Sequence, residues 1–134
     1  MSKNADKWAK LHAKAYAAGM AALEACLPTP MVVQQHANAL NDASPVVKEW
    51  YVPEGVCGFG WVVVTPGTCS FAAWLRKTKD SDGQPLGSKH YYGGTCFWVH
   101  EGDQSYDRKM AFARAYAGVL NAAGVRAHAG GRLD

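Results

Sequence analysis

The segment from Tyr91 to Asp134 constrains the fold more than any other, because two short apolar runs flank a helix with one apolar face. It reads as strand, loop, helix, strand, tail. Gly94–His100 (GTCFWVH) is β-branched and aromatic, as a strand on a packed sheet requires. Ser105 is placed to cap the helix, since its hydroxyl can accept a first-turn N–H, and Asp107 sits where the helix dipole favours negative charge. Tyr106, Met110, Ala113, Ala117 and Leu120 repeat at helical spacing, which places Arg108, Lys109, Arg114 and Asn121 on the polar side. Gly124 stands where a helix of this length should stop. Val125–Ala129 is then expected as a last short strand, and Gly130 onward as a tail.

The rest of the chain supplies partners for that unit. Ala5–Leu27 is dense in good helix formers and ends at Pro28 and Pro30, which remove backbone donors. Its run of small residues around Ala15, Ala18 and Gly19 predicts a closely packed neighbour. Val56–Thr65 (VCGFGWVVVT) is the clearest strand, with Gly58 and Gly60 on one face and Cys57, Phe59, Trp61 and Val63 on the other. The glycine face is nearly flat, so it admits a helix, a neighbouring chain or a ligand. Phe71–Thr78 predicts a short helix, and Lys79–Lys89 an exposed, turn-rich loop. Met31–Val33 and Trp50–Val52 read as short extended pieces on either side of a polar loop. A chain of 134 residues holds one core, so residues 1–134 are expected to form a single domain. The expected class is α+β, a small, mostly antiparallel sheet with two long helices packed on one face.

Composition and spacing exclude several function classes. Hydrophobic residues make up 49% and charged residues 19%, so the chain is expected to fold. The net charge of +3 allows an anionic partner but falls short of what a dedicated nucleic-acid domain carries, so nucleic acid is not expected. No stretch approaches the roughly 18 consecutive apolar residues of a membrane span. Cys26, Cys57, Cys69 and Cys96 lack CxxC spacing, and His90, Cys96, His100 and His128 match no zinc pattern, so neither metal nor cofactor is expected. A thiol enzyme built on Cys57 with His100 or His128 as base would need an electropositive setting, whereas Cys57 falls in a strand among apolar neighbours. Buried thiols and no catalysis are the expectation.

One surface carries the parts that a ligand site would use. Arg126 and His128 share a strand face and Arg132 follows in the tail, while Lys89-His90-Tyr91-Tyr92 puts donors and rings beside the flexible Gly93-Gly94. Arginine forks match phosphate geometry and aromatic rings stack on bases. Lys89, His90, Tyr91, Tyr92, Arg126, His128 and Arg132 are therefore the candidate ligand-binding set, for a small anion such as a nucleotide. Solvated lysines and core tyrosines are the competing explanation. The flat, aromatic strand also leads us to expect a homo-oligomer.

Several motifs together, Pro30-Met31-Val32-Val33, Gly55–Val62, Trp74-Leu75, Tyr92-Gly93-Gly94, Gln104-Ser105, Ala111–Ala117 and Arg132-Leu133-Asp134, resemble a family of small tailed-bacteriophage accessory proteins. The resemblance covers most of the chain and carries no established chemistry. In the family's pattern a serine precedes the terminal Arg-Leu-Asp, where this chain has Gly131. The resemblance implies a protein acting in the infected host's bacterial cytoplasm or carried in the virion. Proteins of that kind sequester nucleotide signals of host immunity, bind and inhibit host proteins, or serve as structural components. A non-enzymatic accessory protein that binds a small anionic ligand is the function expected, with a virion role and a host-protein inhibitor as alternatives.

Overall fold

A computed structural model describes residues 3–37, 40, 43–52, 55–90 and 93–133. The helices are α1 (Lys3–Ala25), α2 (Ser70–Lys77) and α3 (Tyr106–Ala122). The strands are β1 (Met31–His36), β2 (Val46–Val52), β3 (Gly58–Val64), β4 (Gly87–Lys89), β5 (Thr95–Val99) and β6 (Ala127–Leu133). β1 and β2 form a separate antiparallel hairpin, and the other four strands make one antiparallel sheet in the order β4-β5-β3-β6. From β3 onward the chain runs βαββαβ, the connectivity of the ferredoxin-like split βαβ fold. The expected α+β class, with two long helices on one face of a small antiparallel sheet, is what the chain adopts.

Parity along β3 decides which face the helices cover. Gly58, Gly60, Val62 and Val64 point toward α3, and a Cβ at Gly58 or Gly60 would meet Tyr106 or Lys109 at 3.0 Å or less. The flat glycine face is therefore filled from within the chain, by α3, and is not open to a neighbouring chain or ligand. Val62, Val64, Phe97 and Val99 project from the sheet into a core completed by Phe71 and Leu75 of α2 and Phe112, Tyr116 and Leu120 of α3. The ring of Tyr116 stacks on Phe97 with centroids 4.9 Å apart. α1 lies across α3, where Ala15 is fully buried and Gly19 leaves room for the Phe112 ring. The small residues of the first helix thus do what their size suggests.

Local chemistry fixes the ends. The Ser105 hydroxyl accepts from the Arg108 N–H at 3.3 Å, as its position predicted, and Asp107 accepts from the Thr29 N–H at 2.8 Å, tying the base of the hairpin to α3. Gly124 adopts φ +86 just past α3. The Asn121 side chain then pairs with both backbone groups of Ala127, at 2.8 and 3.0 Å, and starts β6 directly after the turn.

Four expectations need correction. β4 lies inside the segment expected to be a loop, because Ser88 and its neighbours pair with β5 although their own strand propensity is weak. β6 does not stop at Ala129: Gly130, Gly131, Arg132 and Leu133 continue it along β3, so the expected tail is an edge strand. Lys109 is not on the solvent side. It is only 6% exposed, and its ammonium donates to the carbonyls of Val99 and Glu101 at 3.3 and 3.1 Å. Cys57 is exposed, forming an isolated bridge with Ser105 just ahead of β3, whereas Cys96 is the buried thiol.

Candidate functional site

The outer face of the sheet, opposite the helices, carries the odd positions of β3 and their cross-strand partners. Phe59 pairs with Arg132, Trp61 sits between Trp98 and Gly130, and Val63 sits between Cys96 and His128. The indoles of Trp61 and Trp98 stack with centroids 5.4 Å apart and planes 16° apart. Phe59 lies 5.6 Å from Trp98, and the His90 imidazole flanks Trp61 at 6.2 Å. Gly130 makes this arrangement possible: a Cβ there would fall within 2.9 Å of Cε2 of Trp61, so the indole rests against bare backbone. Phe59 and Trp61 are half-buried, and Trp98 remains 37% exposed despite its size. A row of rings is left open to solvent at the centre of the sheet.

The electrostatic setting is one-sided. Strands β3 to β6 contain Lys89, His128 and Arg132 and no aspartate or glutamate. Arg132 holds its guanidinium 5.3 Å from the centre of the Phe59 ring, a cation–π contact that orients the fork while leaving it exposed. The nearest acid in sequence after β5, Glu101, turns inward, where its carboxylate accepts from the Tyr16 hydroxyl at 2.5 Å.

The structure divides the sequence-predicted set. His90, His128 and Arg132 belong to the outer face. Lys89 pairs with Thr95, on the opposite parity, and lines a groove at the far end of the sheet. Arg126 precedes β6 and lines a different groove, with Trp8, Pro66 and Cys69. Lys89 and Arg132 do not meet: five residues of β3 separate their partner positions, about 17 Å of extended chain. Tyr91 and Tyr92 lie outside the described residues. The sequence reading did not name Phe59, Trp61 or Trp98 as site residues. Their alternation was legible, but which parity stayed open depended on where α3 docked.

A second polar cluster lies between α1 and α3. The His12 Nδ1 and the Tyr116 hydroxyl are 2.6 Å apart. Burial lowers the pKa of His12 and raises that of Tyr116, which favours the neutral form of both, and the two share one hydrogen bond. The hydrogen bond to Glu101, followed by burial, pushes the Tyr16 phenol up to about 12. Burial lowers the Lys109 pKa against the opposing pull of Glu101 and Asp103. These groups satisfy one another, and none of them lines either groove named above, so the cluster reads as a hydrogen-bonded strut. Among the described residues, no group of three or more His, Cys, Asp or Glu could hold a metal ion, and no helix is long and apolar enough to cross a membrane.

No family model, curated protein or solved structure matches the chain.

Proposed function

We propose that this domain is a non-enzymatic receptor for a nucleotide, whose base stacks on the Trp61–Trp98 platform. The observation that carries this reading is a solvent-open stack of indoles on a sheet without carboxylates. Every nucleobase has a π-face, so aromatic platforms accept bases with little demand on sequence, each stack contributing about 1–3 kcal/mol. Four-stranded sheets that bind single-stranded RNA carry their stacking rings on the face away from their helices, where Phe59, Trp61 and Trp98 lie here. That parallel is one of architecture alone. Arg132 and His128 at the rim supply donors for phosphate or sugar oxygens. In the phage setting that the family resemblance implies, such a site would sequester a nucleotide signal of host defence.

Tryptophan fluorescence and calorimetry test the proposal. Nucleoside monophosphates should quench the indole emission, and Trp98→Ala should weaken their binding by roughly tenfold or more with folding intact, because the ring is partly exposed. Oligonucleotides that bind far more tightly than mononucleotides would shift the ligand to single-stranded nucleic acid. A second reading, self-association through the same rings, is favoured by the exposed apolar area they present. Sedimentation as a dimer that Trp98→Ala dissolves, with no quenching by any nucleotide, would replace the receptor reading.

A further inference from the structure

At the end of the sheet away from Arg132, residues Gly67, Thr68, Arg76, Lys89, Gly93, Gly94 and Thr95 line a groove of about 380 Å³. Two of these residues are cationic and none is acidic. Arg76 is held in place from below: it donates to the Gly67 carbonyl and, at 2.6 Å, to the Thr95 hydroxyl. Both partners are neutral, so the guanidinium keeps its full charge while losing much of its rotational freedom. Lys89 ends β4 opposite Thr95, on the same parity as the groove and exposed at its mouth.

The groove and the aromatic face are joined by consecutive residues. Lys89 lines the groove, and the next residue, His90, sets its ring 6.2 Å from Trp61. Gly93 and Gly94, at φ +100 and +87, conformations that L side chains rarely adopt, line the groove at the same end of the sheet. Along β3, Trp61 is three residues from Val64, the partner of Thr95, about 10 Å of strand. The groove opens on the helix side of the sheet, so the phosphates of a nucleotide would also have to turn around the sheet end to reach it, a longer path than that strand distance.

We infer that the Arg76–Lys89 groove is a phosphate subsite that receives the di- or triphosphate end of a nucleotide whose base rests on Trp61 and Trp98. The inference builds on the receptor reading and adds the chemistry of the ligand's other end. Arg76 would engage two phosphate oxygens with its remaining N–H groups. Lys89 would add a mobile charge, and the Thr68 hydroxyl a neutral donor.

Calorimetric titration with adenosine, ADP and inorganic pyrophosphate separates the two claims. For the wild type, ADP should bind at least tenfold more tightly than adenosine, and the gain should shrink as salt rises. Lys89→Gln, at an exposed strand end, should remove most of that gain and leave adenosine binding unchanged. Arg76→Lys, which keeps the charge and loses the fork, should also bind ADP more weakly than the wild type. Equal affinity for adenosine and ADP, or a gain untouched by both variants, overturns the phosphate subsite and leaves the base platform standing. If adenosine does not bind and Trp98→Ala alters nothing, the platform reading fails. Pyrophosphate binding that Lys89→Gln abolishes would then still support an oxyanion groove, and no pyrophosphate binding would overturn that as well.

Discussion

Replacing Gly130 with alanine tests the platform without touching the core. The new methyl would fall within 2.9 Å of Cε2 of Trp61, so the pyrrole edge of the indole must shift, a contact with a side chain and not with backbone. The backbone of Gly130 lies in a regular strand paired with Trp61, so alanine introduces no conformational strain. Two terms then oppose each other. Losing the Trp61–Trp98 stack costs about 0.5–1.5 kcal/mol, the usual worth of an aromatic pair. Restricting the unfolded chain returns about 0.4–1 kcal/mol. Net stability should stay within about 1 kcal/mol of the wild type, a shift in Tm of only a few degrees. The near-ultraviolet circular dichroism of the coupled indoles should collapse, and nucleotide affinity should fall by roughly tenfold or more as the stacking surface is broken. An unchanged spectrum with unchanged binding would refute the packing of Trp61 against bare backbone. A fall in Tm of tens of degrees would refute the claim that this face is independent of the core.

Glycine substitutions on the helices should have opposite signs. Gly19→Ala would place its Cβ 2.8 Å from two carbons of the fully buried Phe112 ring and should destabilise by about 1–3 kcal/mol, whereas Gly118→Ala meets nothing within 4 Å and should stabilise by about 0.5–1 kcal/mol in denaturant melts. The pKa of His12 is lowered by burial, so below its ordinary value of 6.5 the unfolded chain binds a proton that the folded protein refuses. Stability should therefore decline as pH falls below 6.5, and His12→Phe should flatten that part of the profile. Among the thiols, exposed Cys57 should react with a disulfide reagent in the native protein, while Cys96, buried with its pKa pushed up to about 11, should stay silent until unfolding.

Much of the architecture was legible because periodicity and end signals agreed. β3, β5, α1 and α3 fall where alternation, helical spacing, the Ser105 cap and Gly124 place them. β4 was not legible, since three residues of weak strand propensity reveal a strand only once β5 offers its edge. The far half of β6 was hidden for a related reason. Gly130-Gly131 looks like a flexible tail until the Trp61 indole and α3 require those positions to lack side chains. Lys109 was misplaced because a charge at helical spacing predicts solvent, and only the carbonyls of Val99 and Glu101 make its burial tolerable. Of the candidate site residues, His90, His128 and Arg132 lie on the outer face, a grouping that depends on the strand register. The separation of Lys89 from Arg132 needed the strand register, and the exposure of the tryptophans needed the position of α3.

Gly58, Gly60 and Gly131 act on α3 as notches act on a ratchet pawl. Tyr106, Lys109 and Met110 each rest where a side chain is missing, and a slide of one turn along the sheet would drive them onto positions already occupied. The helix therefore has one seating and no neighbouring one to move to. In the proposed receptor, a helix seated this way would not slide to relay occupancy of the outer face. The receptor should capture its ligand as a rigid trap, with free and bound forms nearly superimposable, and should act by removing that ligand from solution rather than by passing a signal onward.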